Sequence, residues 1–343
     1  MPLYLLFVAV FRPRPTKGCP SGRSRLGVRS SSGYFNAGAG GPVRGRRSMS
    51  GLCGTSCSGR SLQTKRAFQG SAEAETLQVK IQLLPSTFDE RGRAAPEQRL
   101  SCYLVDDLVA IDAGSIALAL NERQRARVRD ILITHPHMDH IATLPIYIDD
   151  LFATLAEPVR VHATPEVIEL LERDVFNWTV YPRFSELRND RESRVMQYVP
   201  VRTGEEFSIA HLRFKAIPVS HIVPTVGLII SDDDTTVAFS SDTASTDELW
   251  RVVNRLPRLD ALLVESSFPN SMARLAEISG HLTPEVLRLE LGKLSHKELD
   301  ILAMHLKPAY RETLVRELHA LDIHGLSIME PGREYEWGYK SNV

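Results

Sequence analysis

The chain has 343 residues, 43% hydrophobic and 24% charged, the composition of a globular protein with room for a sizeable core in one large domain or two small ones. Its formal charge of −1 is unevenly spread. Residues 1–70 hold 12 Lys and Arg and no acid, which leaves 29 basic against 42 acidic residues downstream, a charge of −13. A body that acidic argues against a long polyanion as partner, and no uninterrupted apolar run reaches the ~20 residues of a membrane-spanning helix.

The first element in chain order is a basic leader, residues 1–71. RPRPTKGCPSGRSRLGVRSSSG and AGAGGPVRGRRS are rich in Arg, Ser and Gly and show no hydrophobic periodicity, so disorder is the expectation. An Arg- and Ser-rich, acid-free N-terminus resembles an organelle transit peptide; the apolar PLYLLFVAVF lacks the basic residue that would precede a secretory core. The other reading is a start further downstream, at Met49. The compartment follows the choice: mitochondrial or plastid for a transit peptide, cytoplasmic for a start-site artefact. Cys19, Cys53 and Cys57 lie in this leader, and no second pair follows Cys53 and Cys57 to complete a metal site. Cys102 alone lies in the body, which excludes internal disulfides there and fits a reducing compartment.

From residue 77 to 343 strand and helix signals alternate. Strands are expected at 78–84, 99–105 and 108–112, a helix at 115–128, and a short β-branched strand at 131–134. A helix from Asp139 onward contains Pro145 and is expected to be interrupted or kinked there. A strand at 159–163 precedes a helix at 164–176 that opens on a Thr cap and Pro. Strands cluster at 196–201, 211–219, 225–231 and 236–240. The tail alternates again: helix 246–255, strand 260–265, helix 283–295, strand 300–304, helix 309–321. Meanders mixed with crossovers indicate an α/β protein with helices covering sheets.

Strand 131–134 runs into HPHMDH, which places three of the chain's 11 histidines and an aspartate in six positions. In extended backbone His135 and His137 project to one side, with Asp139 in phase, and His140 enters the first turn of the next helix. Such a loop leaving a buried strand suits two adjacent metal ions. Further donors stand at later strand ends: His221 closes FKAIPVSH, Asp242 follows VAFSSD, and His305 closes DILAMH. Each alone is an ordinary loop residue, but in order they form a set.

HPHMDH followed by PVSH, SSDT and AMH resembles the metallo-β-lactamase superfamily over residues ~77 to ~330. The resemblance implies a four-layer αβ/βα sandwich with metals at one edge. It implies that His135, His137 and His221 hold one ion, that Asp139, His140 and His305 hold another, and that Asp242 bridges them. Asp112, in VAIDAGS, matches an aspartate that lies beneath the site and orients a ligand histidine. VESSFPNSMARLAEISGHLTPE and HLKP are similar to class II cyclic-nucleotide phosphodiesterases, which hydrolyse 3′,5′-cyclic AMP or GMP to the 5′-monophosphate. One departure stands out: Thr143 occupies a position where members of the superfamily often have Gly.

That resemblance implies two divalent ions, Zn above all, with Mn or Fe also suited to His and Asp donors, and attack by a hydroxide bridging them. The departing 3′ oxygen needs a proton, and His281 in SGHLT is the candidate donor, held by Glu265 as in the comparable Glu and His of ribonuclease Z. Asp139 is counted among the catalytic residues with these two as well as among the ligands. The bland reading of His281 is a neighbour of the helix cap at Thr283. Lys307 stands within reach of a phosphate by position, but a lysine after a strand is ordinarily a solvated charge and is left out. His162, His211, His296, His319 and His324 read as structural or exposed. The expected partner is a small cyclic nucleotide, with nucleic acid disfavoured, no membrane, and a homodimer as the default assembly. The alternatives are a ribonuclease Z-like tRNA 3′-endonuclease, which no long basic, Gly-rich insertion supports, a thioester or lactam hydrolase, and a non-catalytic metal-binding scaffold.

Overall fold

The computed structural model describes residues 79–338. The leader, its cysteines and the expected disorder of residues 1–71 lie outside the described residues. The first half supplies β1 (Val79–Leu83), β2 (Tyr103–Val105), β3 (Val109–Ile111), β4 (Asp130–Leu132), β5 (Val159–Ala163) and β6 (Met196–Pro200). The second half supplies β7 (Glu206–Ile209), β8 (Leu212–Pro218), β9 (Val226–Ser231), β10 (Thr236–Phe239), β11 (Ala261–Glu265), β12 (Asp300–Met304), β13 (Leu326–Ile328) and β14 (Glu334–Trp337). They form two seven-stranded sheets, ordered β14-β1-β2-β3-β4-β5-β6 and β13-β12-β11-β10-β9-β8-β7. The helices are α1 (Ile116–Ala119), α2 (Glu122–Arg127), α3 (Met138–Ile141), α4 (Leu144–Leu151), α5 (Pro165–Asp174), α6 (Glu248–Val253), α7 (Ala273–Ser279), α8 (Pro284–Leu291) and α9 (Arg311–Ala320).

Alternation along the strands builds the layers. Val109 and Ile111 of β3 face the second sheet while Ala110 faces the helices; Ala261 and Leu263 of β11 face inward while Leu262 and Val264 face α6, α8 and α9. The helices return the complement, with Ile116, Ile141, Leu144 and Leu171 on the first sheet and Trp250, Leu287 and Leu314 on the second. The result is the expected αβ/βα sandwich. Tyr103 and Phe239 meet edge to face across the sheets at 4.9 Å, and Phe239→Ala would cost about 3–5 kcal/mol by opening a cavity between the layers. Among the described residues no helix is long and apolar enough to cross a membrane.

Several boundaries differ from expectation. The helix at 115–128 is two helices, because Asn121 makes a reciprocal capping box with Gln124 and starts a new one. At Pro145 the expected break is an interruption and not a kink: α3 ends at Ile141, and Pro145 sits in the first turn of α4, where a missing N–H costs nothing. Residues 99–102 are not strand; that segment runs along the edge where the site lies. β7, β13, β14 and α7 carried too little periodicity to be expected: the three strands have 3 or 4 residues, and α7 buries only Ala276.

Candidate metal centre

β3, β4, β10, β11 and β12 end at one edge of the sandwich, β3–β4 and β10–β11–β12 being parallel runs. Asp112 follows β3, His135 and His137 follow β4, Asp242 follows β10, Glu265 closes β11, and His305 follows β12. His137 is extended (φ −64, ψ 146), and α3 then turns Asp139 and His140 into the same space. Asp112, Ser241 and His305 adopt left-handed backbone with φ of 60, 56 and 58. Non-glycine residues in that region cost about 1–3 kcal/mol each, and they turn the chain sharply at strand ends.

The sequence-selected ligands, with the proton-donor candidate His281, come together in three groups: His135, His137, His221 and Asp242; Asp139, His140 and His305; and Asp242, His281 and His305, each with ligand atoms within 4.8 Å of one another. Asp242 Oδ2 is the hub, 3.2 Å from His305 Nε2, 3.3 Å from His140 Nε2 and 3.6 Å from His135 Nε2. Four imidazoles have Nδ1 tied outward, which turns Nε2 inward. His140 donates to Asp112 Oδ2 at 2.7 Å and His221 to the Gly280 carbonyl at 2.8 Å. His305 pairs with Ser101 Oγ and His135 with Thr134 Oγ1, each at 3.0 Å. His137 differs, its Nδ1 facing His221 Nε2 at 3.2 Å.

Asp112 is fully buried and also accepts from the Thr134 amide at 2.8 Å and the Thr134 hydroxyl at 3.0 Å. Gly280 is required where it stands: its φ is +74, and a Cβ would lie 2.8 Å from His221 Nδ1.

Burial, with the neighbouring His221, pushes His137 down to about 4, so its ring is neutral with a free lone pair near pH 7. Burial alone would raise Asp139, but His140, Lys307 and His305 outweigh it and hold the carboxyl at about 2. Burial likewise opposes the charge on Asp242, and the His305 and His140 charges keep it well below the usual carboxylate range. The buried Nε2 atoms of His135 and His140 make no hydrogen bond in the protein. Buried polar atoms are normally paired, so these orphaned inward nitrogens, the ionised carboxylates and the rings of His135, His137 and His221, which burial holds neutral, fit divalent metal binding.

Beside the hub, Glu265 is completely buried and accepts from His281 Nδ1 at 2.8 Å, from the Thr243 amide at 2.8 Å and from Ser267 Oγ at 2.7 Å. Burial pulls His281 down, yet Glu265 prevails and raises its pKa, favouring a protonated ring. His281 Nδ1 is 4.0 Å from Asp242 Oδ2, and its ring stacks on His305. Capping of α8 is done by Thr283, whose side chain accepts from Val286, and His281 takes no part.

Ser101, Thr134, Ser241 and Ser267 were not singled out from sequence; hydroxyl residues near strand ends are too common to signal, and only the fold shows what they touch. Lys307 is not a solvated charge: it donates to Asp139 Oδ2 at 3.1 Å and to His305 Nε2 at 3.0 Å. Thr143 is buried away from the donors, its hydroxyl accepting from the Ala117 amide and donating to the Ala113 carbonyl, so it fastens α1 rather than touching the centre. Among the other histidines, His162 pairs with Asp130 and His211 with Asp106, each at 2.8 Å, and His296 reaches the Val253 carbonyl.

A family model described as "Beta-lactamase superfamily domain" matches residues 109–298. A probable 3′,5′-cyclic-nucleotide phosphodiesterase of Yersinia pestis is 26% identical over 210 residues, covering 55% of this chain and 60% of that relative. The chain thus spans less than two thirds of that relative's length. A nuclear ribonuclease Z of Triticum aestivum is 28% identical over 150 residues, covering 40% of this chain and 81% of the relative. Unliganded yeast PDE1 superposes with a TM-score of 0.59 at 18% identity, over 75% of this chain and 99% of that one.

Proposed function

From the premise that the chain belongs to the beta-lactamase superfamily, we propose that it is a metal-dependent phosphodiesterase that opens 3′,5′-cyclic nucleotides to 5′-monophosphates, with residues 77–343 as one catalytic domain. The observation that carries the reading is the Glu265–His281 pair set 4.0 Å from the carboxylate on which three imidazoles converge. His135, His137, His221 and Asp242 would hold one divalent ion, and Asp139, His140 and His305 the other, with Asp242 common to both. Bound ions supply Lewis acidity toward a phosphoryl oxygen and bring the pKa of water to about 7.

The protein's own groups do the rest. Asp112, Thr134, Ser101 and the Gly280 carbonyl fix the rings, so no reorientation is needed as charge develops. When a water oxygen bonds to phosphorus, its proton passes to solvent, the P–O bond to the 3′ oxygen breaks and that oxygen must take up a proton. His281, kept protonated by Glu265, gives it, and the same imidazole is recharged from solvent.

The related ribonuclease Z, 28% identical over 150 residues, makes tRNA 3′-end cleavage the second reading; the acidic body weighs against it. The test is incubation of the purified chain and Zn²⁺ or Mn²⁺ with 3′,5′-cyclic AMP and, in parallel, with pre-tRNA. Release of 5′-AMP, absent with His137→Ala, is the expected result. Trimmed tRNA without 5′-AMP would transfer the centre to the second reading.

A further inference from the structure

A cleft of about 800 Å³ opens directly beside the centre and shares His221 with it. That volume falls within the roughly 300–1,000 Å³ usual for small-molecule sites. The other large cavity, about 680 Å³, lies between β7–β9 and α6 and shares no residue with the donors. One wall of the cleft is formed by the end of β8 and the β8–β9 connection, where Pro218, Ile222 and Pro224 are exposed beside the half-buried Val223. Ile222 is 59% exposed although it directly follows a donor histidine, and an uncovered apolar wall at a polar centre marks a contact surface.

That wall is already shaped. The Val219 amide donates to the Thr225 carbonyl at 3.2 Å, Thr225 Oγ1 donates to the Val223 carbonyl at 2.9 Å, and two prolines restrict the backbone. Little ordering entropy remains to be lost on binding. The rest of the lining, beside Pro165 and Val201, includes the polar Glu166, Arg202, Thr203 and Glu205. An acyl chain would leave those groups unmatched, whereas a nucleoside has one flat apolar face and a rim of donors and acceptors.

We propose that this cleft receives the nucleoside of the substrate, the base lying on Ile222 and Pro224 and the phosphodiester reaching the centre past His221. The assignment rests on the phosphodiesterase reading and adds to it the surface that distinguishes a nucleotide from any other diester. Ile222 is exposed, so Ile222→Asp leaves the core intact while placing a charge against the base.

The experiment measures KM and kcat of wild type, Ile222→Asp and Ile222→Leu with cyclic AMP and with methyl 4-nitrophenyl phosphate, a diester without base or ribose. Calorimetric binding of 5′-AMP is measured on each. Ile222→Asp is expected to raise KM for cyclic AMP at least tenfold, to lower the preference for cyclic AMP over the simple diester by a similar factor, and to weaken 5′-AMP binding in parallel. Ile222→Leu should restore all three. Equal losses on both diesters, or unchanged 5′-AMP affinity, would overturn the cleft while the phosphodiesterase reading stands. If wild type turns over the simple diester but neither cleaves nor binds nucleotides, both fall together.

Discussion

The two sheets contribute to the centre in opposite ways. On the first, a single loop after β4 delivers His135, His137, Asp139 and His140, and one buried carboxylate, Asp112, organises it by holding both Thr134 and His140. On the second, His221, Asp242, Glu265, His281 and His305 arrive one at a time from separate segments, and their rings have separate partners, His221 the Gly280 carbonyl, His281 Glu265, and His305 the Ser101 hydroxyl. The first half is therefore one unit that succeeds or fails together. The second is a set of individual parts with distinct jobs, and substitutions should separate them.

The largest effect is expected where both halves meet. His137→Ala should reduce turnover to background with the fold retained, as read by circular dichroism and 5′-AMP release. Asp242→Ala should go further and lose both ions, since its carboxylate borders His135, His140 and His305; metal analysis of the dialysed variant checks this. Next comes a part that acts alone. His281→Ala should slow turnover by about 10²–10⁴-fold with metal content unchanged, and loss of metal there would make it a ligand instead. In the first half, Asp112→Asn is expected to weaken metal affinity by about 10–100-fold, because it ties His140 less strongly; competition with a chelator measures it.

The smallest effect concerns the strand that launches the loop. Burial of Asp130 would raise its pKa, but hydrogen bonds from Arg160 and His162 bring it to about 2. A carboxyl depressed in the folded state contributes stability above its unfolded value near 3.8, and that contribution fades as pH falls through about 2. Asp130→Asn should thus cost about 2 kcal/mol at pH 7, and its difference from wild type in urea unfolding should shrink as pH drops below about 4.

This contrast also explains what the chain discloses before it folds. HPHMDH is legible because four donors share one loop, so spacing alone carries the geometry. His221 lies 86 residues after His135, Asp242 another 21 on and His305 a further 63; they become a set only through their order at strand ends and a family pattern. Ser101 and Thr134 escape both tests, since their roles depend on which ring nitrogen the fold brings to them. Lys307 was passed over for the same reason: nothing local shows that Asp139, 168 residues earlier, lies 3.1 Å away. The helix break at Asn121 is not legible in the periodicity, because capping overrides it over spans that short.

We propose that the two halves together hold two ions on which the chemistry depends. The direct test titrates the metal-free chain with Zn²⁺ while bound metal and 5′-AMP release from cyclic AMP are followed in the same samples. Two ions per chain, with turnover rising until the second is bound, is the predicted result. Saturation at one ion, or turnover by the metal-free chain, would contradict it.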